Sequence, residues 1–206
     1  MVMNAKSILT TLLCILTVVL LTSCGKGYGK VDQGRAIEYD REKGTITLIR
    51  DLKTDPGNPE YSHLPAVIYS LPKNQADIGA EPKTGYRLKL DTKKSQIKIF
   101  DPGTGQFRTI DYKLIKQLDG IEKDSPLVFD KASGKTREFP VIDKEAKTIT
   151  TYSGRQKILT TFSVADEYLS LPAKTWEAGD DVRIEYKEDG KALKFANLTR
   201  TDSYRK

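Results

Sequence analysis

The chain is poor in the residues that hold metals, haem groups and disulfides. Its one histidine is His63, its two cysteines are Cys14 and Cys24, and its two methionines are Met1 and Met3. Zinc and copper sites need several converging ligands of these kinds, and haem attachment needs a Cys-x-x-Cys-His sequence, which is absent. We therefore predict no metal and no other cofactor, and we assign no catalytic residue.

A serine hydrolase would have to use His63, which follows Tyr61 and Ser62 in a proline-rich stretch. No Gly-x-Ser-x-Gly motif accompanies it, so we interpret His63 as a loop residue. Acidic residues occur as adjacent pairs at Asp180-Asp181 and Glu188-Asp189. Acid and base catalysis needs carboxyl groups that face each other in a cleft. We interpret both pairs as turn residues and keep a hydrolase that uses carboxylates as an alternative function.

The first 24 residues have the layout of an export signal. Lys6 precedes an apolar segment from Ile8 to Leu21, which is shorter than the ~20 residues a membrane-spanning helix needs. A positive charge, a short apolar segment and small residues before a cut site are typical of a secretory signal peptide. The small residues here are Thr22 and Ser23, and Cys24 follows them.

The sequence Leu21-Thr22-Ser23-Cys24 resembles the lipobox of bacterial lipoproteins. The resemblance implies cleavage between Ser23 and Cys24, removal of residues 1–23, and acyl chains on Cys24. Two or three acyl chains hold a protein stably on a membrane. We therefore expect a cell-envelope protein that is lipid-anchored on the periplasmic side. Gly25 favours the outer membrane over the inner membrane, by analogy with lipoprotein sorting.

From residue 35 onwards, short stretches such as Tyr86–Asp91 alternate apolar and polar residues and end at turn residues. This period of two predicts β-strands throughout, and closing five short strands into a barrel removes exposed strand edges. We predict an all-β protein with two related small five-stranded barrels of OB or SH3 type, after a cleaved signal helix. The expected division is a flexible tether at 24–34, a first barrel at 35–112, a linker with a short helix at 113–126, a second barrel at 127–198 and a polar tail at 199–206.

Two halves of the chain repeat the same motifs in the same order, which indicates an internal duplication. The offset between matched residues drifts little along the chain, and the matches include turns as well as strands. The matched segments are Asp40–Thr47 with Asp143–Thr150, Ser70–Pro72 with Ser170–Pro172, Tyr86–Leu90 with Val182–Tyr186, and Ile97–Phe100 with Leu193–Ala196.

The second half resembles a small barrel module of bacterial envelope proteins, through Asp143–Thr150 and Trp176–Tyr186. That resemblance implies a barrel fold and no particular activity. Over Cys24–Arg50, the chain resembles a group of lipoproteins from sulfate-reducing bacteria, which again implies no particular activity.

The predicted contact surfaces are two long loops at 53–65 and 73–85, because loops of this length are usually functional or disordered. Tyr61, His63 and Trp176 are the side chains that we select as a possible contact surface, although Trp176 would also suit the plugged end of a barrel. The net charge is +6, from basic residues scattered along the chain. We predict a binding or scaffolding module for another envelope protein, with an anionic cell-wall polymer or lipid headgroups as alternative partners. Export argues against nucleic acid as a partner.

Overall fold

The computed structural model describes residues 29–53, 55 and 58–201. The predicted signal peptide, the cleavage and lipidation site at Ser23 and Cys24, and residues 24–28 of the predicted tether lie outside the described residues, as does the end of the polar tail. The rest of the predicted tether is not a flexible segment, because a strand begins at Lys30. No helix within the described ranges is long and apolar enough to cross a membrane.

Strands dominate the described residues, so the all-β class is confirmed. The α-helical content of these residues is one turn, α1 at Asp166–Leu169, and two 3-10 turns lie at Gln75–Asp77 and Ala173–Thr175. The strands are β1 Lys30–Asp40, β2 Thr45–Arg50, β3 Val67–Ser70, β4 Arg87–Asp91, β5 Gln96–Asp101, β6 Gln106–Asp111, β7 Lys113–Leu118, β8 Phe129–Asp130, β9 Lys135–Thr136, β10 Val141–Asp143, β11 Thr148–Ser153, β12 Ile158–Ser163, β13 Asp181–Glu188 and β14 Lys191–Asn197.

Five strands close into a small barrel, in the order β1-β13-β14-β3-β2. Neighbouring strands are antiparallel except β14 and β3, which run parallel and pair at Lys191 and Ser70. This order is the Greek-key arrangement of an OB-type barrel in which β13 and β14 serve as the fourth and fifth strands. The inward-facing side chains of Ile46, Leu48 and Ile184 are completely buried in its core. The predicted small five-stranded barrel is therefore present.

Seven further strands form a second body around another core. Its sheets have the orders β10-β11-β12-β7 and β4-β5-β6. Only Tyr112 separates β6 from β7, so one bent stretch of chain runs from one sheet into the other. Apolar side chains from both sheets share a core that includes Ile97, Ile149, Phe162 and Trp176. Among the described residues no pairing joins β4 to β10, so the second body is barrel-like but open on that side.

The two halves of the sequence exchange strands. The closed barrel takes β1, β2 and β3 from the first half and β13 and β14 from the second. The second body combines β4, β5 and β6 of the first half with β10, β11 and β12 of the second. The predicted boundaries at 35–112 and 127–198 therefore do not separate two barrels. Hydropathy patterns identify the buried face of each strand but not the strand beside it, which accounts for the difference.

The predicted linker at 113–126 begins with a strand instead of a helix. Leu114, Ile115 and Leu118 have a helix-like spacing, but β7 pairs with β12 over this stretch. The side chains of Leu114 and Ile115 are 43% and 53% exposed at the edge of the sheet. An isolated short helix is marginal in water, whereas the edge of a formed sheet supplies backbone partners along its whole length, so the strand is favoured.

Three of the four matched pairs of segments occupy equivalent places in the two bodies. The turn between β1 and β2 corresponds to the turn between β10 and β11. In the first, the Asp40 carboxylate accepts the Lys43 N–H at 2.9 Å, and in the second, the Asp143 carboxylate accepts the Ala146 N–H at 2.9 Å. Both turns end in the left-handed region, at Gly44 and at Lys147. Two further matches fall on β4 with β13 and on β5 with β14, whereas Ser70–Pro72 lies at the end of β3 and Ser170–Pro172 follows α1.

A third apolar cluster joins the closed barrel to the second body. Ile37 and Ile49 come from β1 and β2 of the barrel, and Leu88 and Phe100 come from β4 and β5 of the second body. Tyr61 lies among them. The two bodies are therefore packed against each other through a continuous buried surface.

Candidate functional site

Two of the three side chains selected as a contact surface are buried. Tyr61 is 6% exposed and Trp176 is 0% exposed. The prediction that these two side chains lie on a contact surface is therefore wrong. Trp176 packs edge-on against Phe162, with ring centroids 6.1 Å apart, in the core of the second body. His63 is partly buried and lies in a loop, as predicted. Cys24 lies outside the described residues.

The two long loops are held against the barrel by hydrogen bonds. In the loop at 53–65, the Asp51 carboxylate accepts the backbone N–H groups of Lys53 at 3.1 Å and Glu60 at 2.7 Å. In the loop at 73–85, the Gly79 N–H donates to the carbonyl of Phe195 at 2.8 Å. The bases of both loops are therefore parts of the folded structure.

Tyr61 belongs to a buried ionic network between the two bodies, which we call the Asp181 cluster: Arg35, Tyr61, Arg155 and Asp181. The Asp181 carboxylate accepts hydrogen bonds from the Tyr61 hydroxyl and from Arg155. Arg35 donates to the Tyr61 hydroxyl at 2.8 Å, and its Nε lies 3.3 Å from the Asp181 carboxylate. The Arg35 guanidinium also stacks on the Tyr61 ring at 4.5 Å. Arg155 comes from the turn between β11 and β12, so the cluster ties the second body to the barrel.

The electrostatics of this cluster favour a fixed structural role. Burial raises the pKa of Tyr61 to about 12, and the neighbouring Asp181 carboxylate adds to the rise. The phenol therefore stays protonated at neutral pH and remains a hydrogen-bond donor to Asp181. A third arginine, Arg87, lies outside this cluster; it is 4% exposed and donates from Nε to the Trp176 carbonyl at 2.8 Å. Burial lowers the pKa of Arg87 to about 10, which leaves it charged at neutral pH.

The adjacent acidic residues do not face each other. Asp180 and Asp181 are buried at the start of β13 and not in an exposed turn, which corrects our interpretation of them. Asp180 accepts the Lys83 N–H at 2.9 Å and the Asn197 side-chain amide at 2.8 Å, while Asp181 binds the arginines described above. Each carboxylate therefore serves a separate network.

The other acidic pair lies at the exposed turn between β13 and β14, as predicted. Glu188 forms an ion pair with Lys191 at 2.8 Å, and Asp189 forms one with Lys30 at 3.2 Å. In the part of the chain that the structure describes, no group of three or more His, Cys, Asp or Glu side chains could hold a metal ion.

His63 belongs to a second group of polar side chains in contact with one another, which lies at the end of β2. Arg50 is within hydrogen-bond distance of His63 Nε2, and because a guanidinium can only donate, Nε2 accepts. Arg50 also lies 3.7 Å from the Asp32 carboxylate, which accepts the Tyr69 hydroxyl at 2.5 Å. These contacts hold the loop around His63 against the barrel.

A surface pocket of about 200 Å³ lies in the second body, between the β5–β6 hairpin and the segment after α1. Its walls are mainly apolar and aromatic. The sequence offered one signal for it, because two of its residues belong to the repeated Ser-Leu-Pro motif. The lining residues are Tyr86, Ile99, Phe100, Asp101, Pro102, Arg108, Leu171, Pro172 and Thr175.

Charged groups lie in or next to this pocket: Asp101 and Arg108 line it, and Lys174 contacts one of its lining residues, Tyr86. Tyr86 and Phe100 meet edge to face, with ring centroids 6.4 Å apart. The Lys174 ammonium lies 4.7 Å from the centre of the Tyr86 ring. Arg108 forms an ion pair with Asp101 at 2.7 Å, and its side chain is 44% exposed. Since a guanidinium has five N–H donors in a planar fork, Arg108 can hold Asp101 and still bind a second carboxylate.

The size of the pocket limits what it can take. Drug-sized ligands occupy roughly 300–1,000 Å³, so a pocket of about 200 Å³ suits a single apolar or aromatic side chain. The adjacent cations of Arg108 and Lys174 favour an acidic group next to that side chain.

Comparison with known proteins adds one match. The family model described as "Domain of unknown function (DUF4881)" matches residues 27–206, a range that contains the closed barrel, the second body, the Asp181 cluster and the pocket. No curated protein and no solved structure matches the chain.

Proposed function

We propose a binding function for this chain, which belongs to the family of the Domain of unknown function (DUF4881). In this proposal the protein is a lipoprotein of the bacterial cell envelope, held on the periplasmic side by acyl chains on Cys24. Gly25 favours the outer membrane. The folded part is a binding or scaffolding module that engages another envelope protein.

The observation that supports this proposal is the pocket between the β5–β6 hairpin and Pro172. Its apolar walls and its volume suit one side chain of a partner, and Arg108 and Lys174 suit a neighbouring carboxylate. A peptide segment with an apolar residue next to an acidic residue satisfies both features. We therefore propose that the partner is a protein with such a segment exposed.

The anchor is tested by metabolic labelling with a clickable palmitate, followed by membrane fractionation. We expect label on the wild-type protein in the membrane fraction and none on Cys24→Ala, which should also keep its signal peptide. A wild-type protein that is unlabelled and recovered in the soluble fraction would refute the anchor.

The pocket is tested by photo-crosslinking in cells. A photoreactive amino acid replaces Pro172, which is exposed at the pocket, and the control carries the same group at Glu145, which is exposed in the turn between β10 and β11. We expect an adduct that forms at position 172 and not at 145. The adduct should weaken with Arg108→Gln, which removes the charge, and persist with Arg108→Lys, which keeps it.

Two results would count against a protein partner at this pocket. Equal adducts at positions 172 and 145 would indicate contact without a specific site. An adduct that resists protease would identify a cell-wall polymer as the partner instead.

A further inference from the structure

The described chain begins beside one end of the closed barrel. β1 starts at Lys30, which pairs with Tyr186 near the end of β13. The Lys30 ammonium forms an ion pair with Asp189 at 3.2 Å, and Asp189 lies in the turn between β13 and β14. The point where the tether enters the fold is therefore next to this turn.

The tether is short compared with the protein. Six residue steps separate Cys24 from Lys30, and each step spans at most ~3.6 Å, so Lys30 stays within about 22 Å of the acylated residue. Acyl chains on Cys24 would lie in the bilayer, which keeps the turn between β13 and β14 close to the headgroups.

The second body lies at the other end of β13. That strand begins at Asp181, which binds Arg155 of the second body, and it ends at Glu188. Eight residues in a strand with a rise of roughly 3.3 Å per residue span about 23 Å. The barrel thus separates the point of attachment from the second body.

We infer that the closed barrel forms the membrane-facing end of the molecule, with the turn between β13 and β14 against the headgroups. The second body and its pocket then project away from the bilayer, towards the proposed partner. In this orientation, the partner that contacts this end of the barrel is the surface of the membrane in which the acyl chains are inserted. Lys187 is exposed at this end and suits anionic headgroups, while Lys30 and Lys191 are paired with Asp189 and Glu188. This orientation rests on the proposed anchor at Cys24.

The test uses the acylated full-length mature protein in vesicles of phosphatidylethanolamine and phosphatidylglycerol. After removal of the signal and acylation of Cys24, the chain has no other cysteine, so an introduced cysteine can be labelled alone. Asp189→Cys places a fluorophore at the barrel end, and Glu145→Cys places it in an exposed turn of the second body. A quencher attached to the lipid headgroups then reports which label lies near the surface.

We expect quenching at position 189 to be severalfold stronger than at position 145. Circular dichroism of both variants should match the wild type, because both side chains are exposed. Equal quenching, or stronger quenching at position 145, on protein that sediments with the vesicles would overturn the orientation and leave the anchor standing. Failure of the acylated protein to sediment with vesicles would overturn both.

Discussion

Asp181→Ala should destabilise the protein strongly, because Asp181 is the shared anion of a buried cluster. Asp181 is 8% exposed and Arg35 is 7% exposed, so removal of the carboxylate leaves the Arg35 guanidinium buried without its anion. Loss of one partner from a buried ion pair costs roughly 3–5 kcal/mol. The Arg155 side chain is 33% exposed and can turn towards water, so its loss of Asp181 adds little to the cost. We therefore expect Asp181→Ala to lower the free energy of unfolding by about 3 kcal/mol, the lower end of that range. That is a large fraction of the ~5–15 kcal/mol by which typical proteins are stable.

The assay is denaturant unfolding of the mature chain without acyl groups, with circular dichroism as the signal that monitors unfolding. Asp189→Ala is the matched control, because its side chain is 83% exposed and exposed ion pairs contribute little. The double variant Arg35→Met with Asp181→Leu should recover much of the lost stability, since apolar residues often replace a buried ion pair without loss. A cost below about 1 kcal/mol for Asp181→Ala, or a double variant no more stable than the single one, would refute this account.

Three further predictions concern the exchanged strands, the contact between the bodies and pH. Residues 24–112 and 113–206, expressed apart, should show no cooperative unfolding and should co-purify as a folded complex when mixed, whereas independent folding of either half would contradict the observed pairing. Gly179→Ala should cost at least about 2 kcal/mol in denaturant unfolding, because its Cβ would lie 1.9 Å from a backbone carbonyl oxygen, while the control Gly154→Ala meets atoms only at 3.5 Å or more. Burial raises the pKa of Tyr61 from 10.0 to about 12, so the protonated phenol stabilises the fold below pH 10 and this contribution, at most about 3 kcal/mol, is lost as the pH rises to 12. Tyr61→Phe should therefore lose less stability than the wild type over this pH range, and identical losses would contradict the prediction.

The local structure of this protein could be read from its sequence with few errors. The alternating stretches form strands, and the repeated turns within Asp40–Thr47 and Asp143–Thr150 have the same form, because side-chain chemistry over a few residues decides both. The Ser-Leu-Pro match is the one that falls on unlike elements. Another exception is β7, where Leu114 and Ile115 have helical spacing but lie in a strand, because the neighbouring β12 supplies partners for the backbone.

The candidate site was much less visible. The pocket draws most of its walls from β5, β6 and the segment after α1, and the sequence does not predict it, because these segments are distant in the chain. Tyr61 and Trp176, which we predict from the sequence as part of a possible contact surface, are both buried. Their burial depends on partners distant in sequence, such as Arg35 and Asp181 for Tyr61, and no local pattern contains that information.

By itself, the amino-acid sequence determined the all-β class, the positions of most strands and turns, and the repeated order of motifs. It also carries the lipobox-like sequence that ends at Cys24. Only the tertiary structure decided that β13 and β14 complete the barrel begun by β1, β2 and β3, and that the Asp181 cluster joins that barrel to the second body. The physical reason is that strand pairing is set by backbone hydrogen bonds and packing between distant segments, and many strands with the same alternation could serve equally well as neighbours.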